Sequence, residues 1–311
     1  MSQPLQLDVA GAGLAGVDKL AGEWWTPAGD GPLAGSVFCC LSGGGMSRRY
    51  WDLRPPNGDA SYSMAGYLSA RGGSVLLVDP PGVGESPDPD DPWALTPSVL
   101  ADVVAAAVHE ALSGVGAARA VGVGHSMGAL LTVHQQARHA TFDALGLLGF
   151  AGRGQPDGLS AEELAYQPAS DPSGAALIAF ARARYDAPLR RGRAGGSGGG
   201  GANTEFLMAG STDPVGRAAL AEARSALLSV AGLASIIPGA SSPQLDAIEV
   251  PVFLGVGEHD ITGPSHHIPA IFPNSNDVTL FVVPDTGHNH NAADNRLLLW
   301  ARLAAWAASL P

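Results

Sequence analysis

The chain has 311 residues, 46% of them hydrophobic, with 17 basic against 29 acidic residues and a formal net charge of −12. That is enough core for one large domain or two. With no Lys/Arg-dense stretch it is not built for nucleic acid, and no apolar run reaches the roughly 18 residues of a membrane span. The opening MSQPLQLDVAG has neither a basic n-region nor a long apolar h-region, so a cytoplasmic protein without a signal peptide is expected. Cys39 and Cys40, adjacent in an apolar run, read as buried free thiols.

Leu5, Leu7 and Val9 alternate with polar residues, the pattern of a half-exposed strand. The stretch from Gly11 to Gly16 matches G-x-G-x-x-G, the dinucleotide fingerprint. A strand that leads into that fingerprint is buried on both faces and continuously apolar. This one alternates, and Gly22 and Pro27 interrupt any following helix, so a glycine-rich hairpin turn with a partner strand over 20–26 is expected. No cofactor is expected. Ser36 to Leu41 is continuously apolar, as a central parallel strand should be, and Ser42-Gly43-Gly44-Gly45-Met46 follows at once. Glycines there allow the backbone to approach a ligand closely. Arg48, Arg49, Tyr50 and Trp51 either line a pocket mouth or pack and pair nearby. A helix over 63–71 ends at Gly72-Gly73, and a buried strand runs from Ser74 to Asp79. Thr96-Pro97 opens the next helix, with Thr as cap and Pro in the first turn, and it runs to about Leu112.

Gly124-His125-Ser126-Met127-Gly128 lies between a short apolar run and a helix-compatible one. G-x-S-x-G between strand and helix is a nucleophile elbow. The serine sits on a strained turn, the glycines let strand and helix cross closely, and the helix N-terminus offers the Met127 N–H to an oxyanion. After a buried strand over 144–150 the alternation breaks. Residues 151–246 hold helix-like pieces at 160–166, 173–186 and 214–231, more than a crossover needs, and read as an inserted helical cap. Inside it, Arg190 to Gly201 has linker composition, with a flexible Gly/Ser-rich loop at 194–201 that is either native or engineered. Alternation resumes with a strand over 250–256 and the turn Gly257-Glu258-His259-Asp260, then a strand over 277–283 and the loop Pro284 to Asn291. An amphipathic helix over 292–309 closes the chain. Strands alternating with helices imply a mostly parallel sheet flanked by helices.

GHSMG (124–128), GEHD (257–260) and TGH (286–288), in that order and each after a strand, resemble the α/β-hydrolase superfamily over nearly the whole chain. The resemblance implies the α/β-hydrolase fold, with residues 1–150 and 247–311 as core and 151–246 as cap. It implies Ser126 as nucleophile, Asp260 rather than Glu258 or Asp285 as the acid, and His288 as the base. SGGGM (42–46) resembles the family's His-Gly oxyanion loop with Ser42 in place of the histidine. The oxyanion donors are then Met127 and either Gly44 or Gly45. Met46, Tyr50, His125 and His290 are candidates for contacting substrate, His290 either at the pocket rim or just behind the residues that touch substrate. A serine needs an imidazole to take its proton, and the imidazole needs a carboxylate to fix its tautomer. The Ala/Leu-rich cap points to a small apolar ester or lactone as substrate, with water as second reactant. An acyl-thioester is the alternative substrate, since GHSMGA also resembles standalone thioesterases, and a non-catalytic hydrolase-fold binding protein is the alternative role. His288-x-His290 and His266-His267 offer zinc ligands, but no H-E-x-x-H or H-x-H-x-D-H pattern accompanies them, so no metal is expected.

Overall fold

A computed structural model describes residues 1–116, 119–191, 207 and 210–311 of the protein. The Gly/Ser-rich stretch expected at 194–201 lies outside the described residues. The chain enters on an antiparallel pair, β1 (Ser2–Asp8) and β2 (Lys19–Trp25), in register from Ser2 opposite Trp25 to Asp8 opposite Lys19. The glycine-rich stretch 11–16 is therefore the connection of a hairpin, opening with a single 3₁₀ turn at Ala10–Ala12, and not a strand-to-helix crossing.

Four parallel strands follow: β3 (Ser36–Leu41), β4 (Ser74–Val78), β5 (Arg119–His125) and β6 (Ala144–Leu148). Their apolar runs are continuous because both faces of the sheet are covered. Along β3 and β4, Val37, Cys39, Leu41, Leu76 and Val78 enter one core cluster, while Phe38, Cys40, Val75 and Leu77 enter the other. That is the alternation of side chains across a pleated strand. Both cysteines are free and buried. Helix α1 (Met64–Ser69) starts at Ser63, whose hydroxyl accepts from Gly66 N–H. Helix α2 (Pro97–Leu112) starts at Thr96, whose hydroxyl accepts from Val99 N–H, with Pro97 in the first turn where no N–H is needed. Helix α3 (Met127–His139) leaves the elbow and packs on α2.

Segment 151–246 contains α4 (Ala161–Leu164) and α5 (Ala175–Arg184), then a two-stranded antiparallel ribbon of β7 (Leu189–Arg191) with β8 (Ala226–Leu228). It also contains α6 (Pro214–Glu222), α7 (Ser229–Ile236) and α8 (Ser242–Asp246). The expected single helix over 214–231 is thus split around β8. Tertiary hydrogen bonds overrule the Ala/Leu helix preference there: Ser225 N–H donates to Gly45 O at 2.7 Å, Ser47 N–H donates to Ala223 O at 2.8 Å, and Met46 forms a bridge with Arg224. The segment is in this way stitched on to the glycine loop that follows β3.

The sheet is completed by β9 (Val252–Gly257) and β10 (Val278–Val283), and α9 (Arg296–Ser309) packs back on both. The eight strands lie in the order β1-β2-β4-β3-β5-β6-β9-β10, with β1 and β2 antiparallel to their neighbours and the other pairings parallel. Among the described residues no helix is long and apolar enough to cross a membrane.

Candidate active site

The site lies at the carboxyl ends of β3, β5, β6 and β9 and in the loop after β10. At the end of β5, Ser126 has φ 54° and ψ −120°, a backbone conformation an L-residue rarely adopts. Its N–H donates to Leu148 O at 2.8 Å, which ties the turn to β6. The flanking glycines are required by close approach. A Cβ on Gly124 would stand 2.4 Å from Ala129 Cα, and one on Gly128 2.2 Å from Leu41 O. As the first residue of α3, Met127 has an N–H with no acceptor within the helix, at its positive end.

The loop after β10 brings His288 to Asp260, which lies beyond β9; His288 Nδ1 donates to Asp260 Oδ1 at 2.7 Å. The two side chains are 5% and 1% exposed, so this is a dry contact. Asp260 Oδ2 accepts from His290 Nε2 at 2.8 Å and from Gly257 N–H at 3.2 Å. Burial alone would raise the Asp260 carboxyl. The charge of His288 and the hydrogen bonds from both histidines outweigh it and hold the group well below the usual carboxylate range. Glu258 is engaged otherwise, accepting from Asp285 N–H at 2.9 Å. His125 Nε2 donates to His288 O at 2.8 Å, and its ring stacks on Tyr50 with centroids 4.6 Å apart. Burial first, then the neighbouring charges of His288 and His290, push the His125 imidazole well below its ordinary value, so it is neutral.

A cavity of about 330 Å³ opens over these residues. Ser126, His288, His125, Met127, Gly44 and Met46 form part of its wall. Gly45 is not in the wall; its carbonyl accepts from Ser225 N–H, and the residue has φ 79°. A Cβ on Gly44 would stand 3.8 Å from Met127 Cβ, so the two residues lie side by side. The structure separates the four expected substrate contacts. Met46 and His125 line the cavity, whereas Tyr50 and His290 are completely buried behind it. Direct contact of His290 with substrate is not seen; of the two places expected for it, the rim and the layer behind the pocket, it takes the second, its ring turned inward with Nε2 on Asp260 Oδ2. Tyr50 is packed under His125, and Asn291 Nδ2 donates to its carbonyl oxygen at 3.1 Å.

Segment 151–246 supplies cavity residues that sequence reasoning did not single out, among them Gln155, Tyr185, Leu227 and Ile236. Scattered apolar residues in an irregular insertion carry no periodic signal that could have found them. Of the two readings left open for Arg48, it takes the pairing one, with a partner, Asp79, that sequence reasoning did not name. Arg48 bonds Asp79 through its guanidinium and, at 2.6 Å, through its N–H, and Arg48 Nη2 meets Glu85 Oε2 at 2.7 Å. The available signal was an aspartate directly after the buried strand β4, beside an arginine just after the glycine loop. Among the described residues no three His, Cys, Asp or Glu side chains are grouped to hold a metal ion.

The pattern of the alpha/beta hydrolase family matches residues 37–299, from the second residue of β3 into α9. The chain belongs to that family. Solved structures with the same fold include a thermophilic esterase from Thermogutta terrifontis, 17% identical over 99% of both chains with a TM-score of 0.64. An esterase from Exiguobacterium antarcticum is 16% identical over 95% of this chain and 98% of its own, with a TM-score of 0.63. An N-acyl homoserine lactonase in complex with N-hexanoyl homoserine is 15% identical over 100% of this chain and 98% of its own, with a TM-score of 0.55. At these identities the likeness speaks for the fold alone. No curated protein sequence matches the chain significantly.

Proposed function

We propose that this alpha/beta hydrolase is a serine hydrolase that cleaves an apolar carboxylic ester or lactone through an acyl-enzyme. The observation that carries the reading is one constellation: a serine held at φ 54° at the tip of an elbow, in the wall of the same cavity as a histidine whose Nδ1 is fixed on a buried carboxylate at 2.7 Å. With Nδ1 protonated and bound to Asp260, Nε2 is the ring's basic nitrogen. It takes the proton as Ser126 Oγ attacks the carbonyl carbon. The carbonyl oxygen becomes an oxyanion, received by the Met127 and Gly44 N–H groups. One such donor is worth about 3–4 kcal/mol of barrier. Collapse expels the alcohol, or opens the lactone, with the proton returned from His288. Water then enters, loses a proton to His288 and releases the acid. Asp260 stays ionised and stabilises the imidazolium at both stages.

The wall supports this substrate class. Met46, Met127, Phe150, Leu227, Ile236 and Ile261 make it mainly apolar, and about 330 Å³ suits a small molecule. Segment 151–246 acts as the cap that shapes it. Esterases and a lactonase among proteins of the same fold are in keeping with this chemistry. The test is turnover of acyl p-nitrophenyl esters, lactones and acyl-thioesters side by side, with and without EDTA. Esters or lactones should be cleaved, and EDTA should have no effect. Efficient cleavage of thioesters with neglect of esters and lactones would overturn the substrate class, and loss of activity in EDTA would overturn the mechanism.

A further inference from the structure

Asp260 has two carboxylate oxygens, and the serine-hydrolase reading uses only one. The other is taken by His290, whose Nε2 lies 2.8 Å from Oδ2. A carboxylate oxygen only accepts, so Nε2 carries the proton. The ring is fully buried, and its Nδ1 has no hydrogen-bond partner. A proton there would be a buried donor with nowhere to go, so the hydrogen bonding favours the tautomer with its proton on Nε2. The ring stands edge-on to His125 at 5.4 Å between centroids, and Tyr50 stacks on His125.

We propose that His290 is a positioning residue that clamps the Asp260 carboxylate so that only Oδ1 is presented to His288; the proposal rests on the hydrolase reading of Asp260 and His288. A carboxylate held by one histidine can swivel and offer either oxygen at a range of angles. Here Oδ2 is pinned by His290 Nε2 and by Gly257 N–H at 3.2 Å. The clamp is itself rigid. Asn291 Oδ1 accepts from Trp300 Nε1 at 2.8 Å, and Asn291 Nδ2 donates to Tyr50 O at 3.1 Å, so the backbone beside His290 is anchored to α9 and to the segment after β3. The charges balance throughout the cycle. Asp260 carries a negative charge between two rings that each donate one N–H to it. When His288 takes the Ser126 proton, the positive charge forms beside Oδ1, and His290 keeps its single proton.

Three variants and one spectrum test this. His290→Leu removes the donor and keeps the bulk apolar; His290→Gln keeps an N–H donor within reach of Oδ2. His290→Leu is expected to lower kcat by about 10- to 100-fold, the fold-change equivalent of one hydrogen bond to a charged group, with KM little changed. His290→Gln should recover most of that loss. In the wild-type protein labelled with ¹⁵N at histidine, a downfield N–H proton should be found on His288 Nδ1 and another on His290 Nε2. His290→Leu should remove the second alone. The proposal is overturned if the wild-type His290 proton sits on Nδ1, if His290→Leu alters KM and leaves kcat intact, or if a folded His290→Gln is as slow as His290→Leu. Ser126→Ala keeps the two readings apart. Wild-type turnover in that variant would defeat the hydrolase reading, while the spectrum would still report on the clamp.

Discussion

Replacing Asp260 by Asn changes one atom and should nearly abolish turnover, and the structure says through which geometry. Asp260 offers an acceptor to each of two imidazoles, Oδ1 to His288 and Oδ2 to His290 and Gly257 N–H. Asn offers one acceptor and one donor, so one ring must lose. If the amide oxygen faces His288, its NH₂ faces His290 Nε2 and Gly257 N–H, and His290 has to carry its proton on Nδ1. That nitrogen is buried without a partner, at a cost of about 1–3 kcal/mol. If the oxygen instead stays with His290 and Gly257, His288 meets the NH₂ through Nδ1 and carries its own proton on Nε2, where it cannot accept one from Ser126. The second arrangement is therefore favoured by roughly 5- to 150-fold. With the lost negative charge added, kcat should fall by about 10⁴, or ~5.4 kcal/mol of barrier. The assay is steady-state and single-turnover hydrolysis of a p-nitrophenyl ester. The decisive comparison is Asp260→Asn combined with His290→Leu. Removing the ring that holds the amide in the wrong orientation should make the double variant faster than Asp260→Asn alone, a coupling of opposite sign to additivity. The reasoning fails if the two losses simply multiply, or if Asp260→Asn keeps a tenth of wild-type kcat.

Gly128→Ala would place a Cβ 2.2 Å from Leu41 O and 2.5 Å from Ser42 O, backbone atoms that cannot move aside. A loss of about 3 kcal/mol or more is expected in urea unfolding, and a Tm within about 2 °C of wild type would contradict it. Burial pushes the His134 imidazole, whose Nε2 meets Ser241 Oγ at 2.9 Å, down to about 4 from 6.5. Between those two values the unfolded chain holds a proton that the folded one does not. Stability is therefore complete above pH 6.5 and declines as pH falls to about 4, by roughly 3 kcal/mol from this group. His134→Gln should flatten that part of the pH dependence in urea titrations, and an unchanged slope would refute the assignment. Leu227 lines the cavity and presses on the glycine loop, its Cδ1 only 2.6 Å from where a Gly44 Cβ would stand. Leu227→Ala should raise kcat/KM for longer acyl chains relative to acetate by about fourfold per methylene accommodated, the worth of ~0.8 kcal/mol. An unchanged chain-length profile would show that Leu227 does not shape the pocket.

What could be read from the sequence divides along physical lines. Strands β3 to β6 were legible because burial on both faces forces continuous apolar runs, and the start of α2 because Thr96 and Pro97 satisfy or avoid first-turn N–H groups locally. The region after Glu222 was not. Its alanines and leucines favour helix, but Ser225 and Arg224 give their backbone to the glycine loop 43–47, a long-range pairing with no local trace. His290 shows the same limit within the site. Its place two residues after His288 left the rim and the layer behind it both open. Only the three-dimensional position of Asp260 Oδ2 shows that it faces inward. Tyr50, beside two arginines and a tryptophan, could have lined a mouth or packed, and its stacking on His125 decides for packing.

The central claim is that Ser126 is an activated nucleophile. The direct measurement is the intact mass of the protein after treatment with a fluorophosphonate, followed by mapping of the modified peptide. The account predicts one adduct per chain, on Ser126, formed faster in wild type than in His288→Ala and absent in Ser126→Ala, whose ester hydrolysis is also lost. A wild-type protein that stays unmodified, an adduct on another residue, or a Ser126→Ala variant that hydrolyses esters within tenfold of wild type would contradict it.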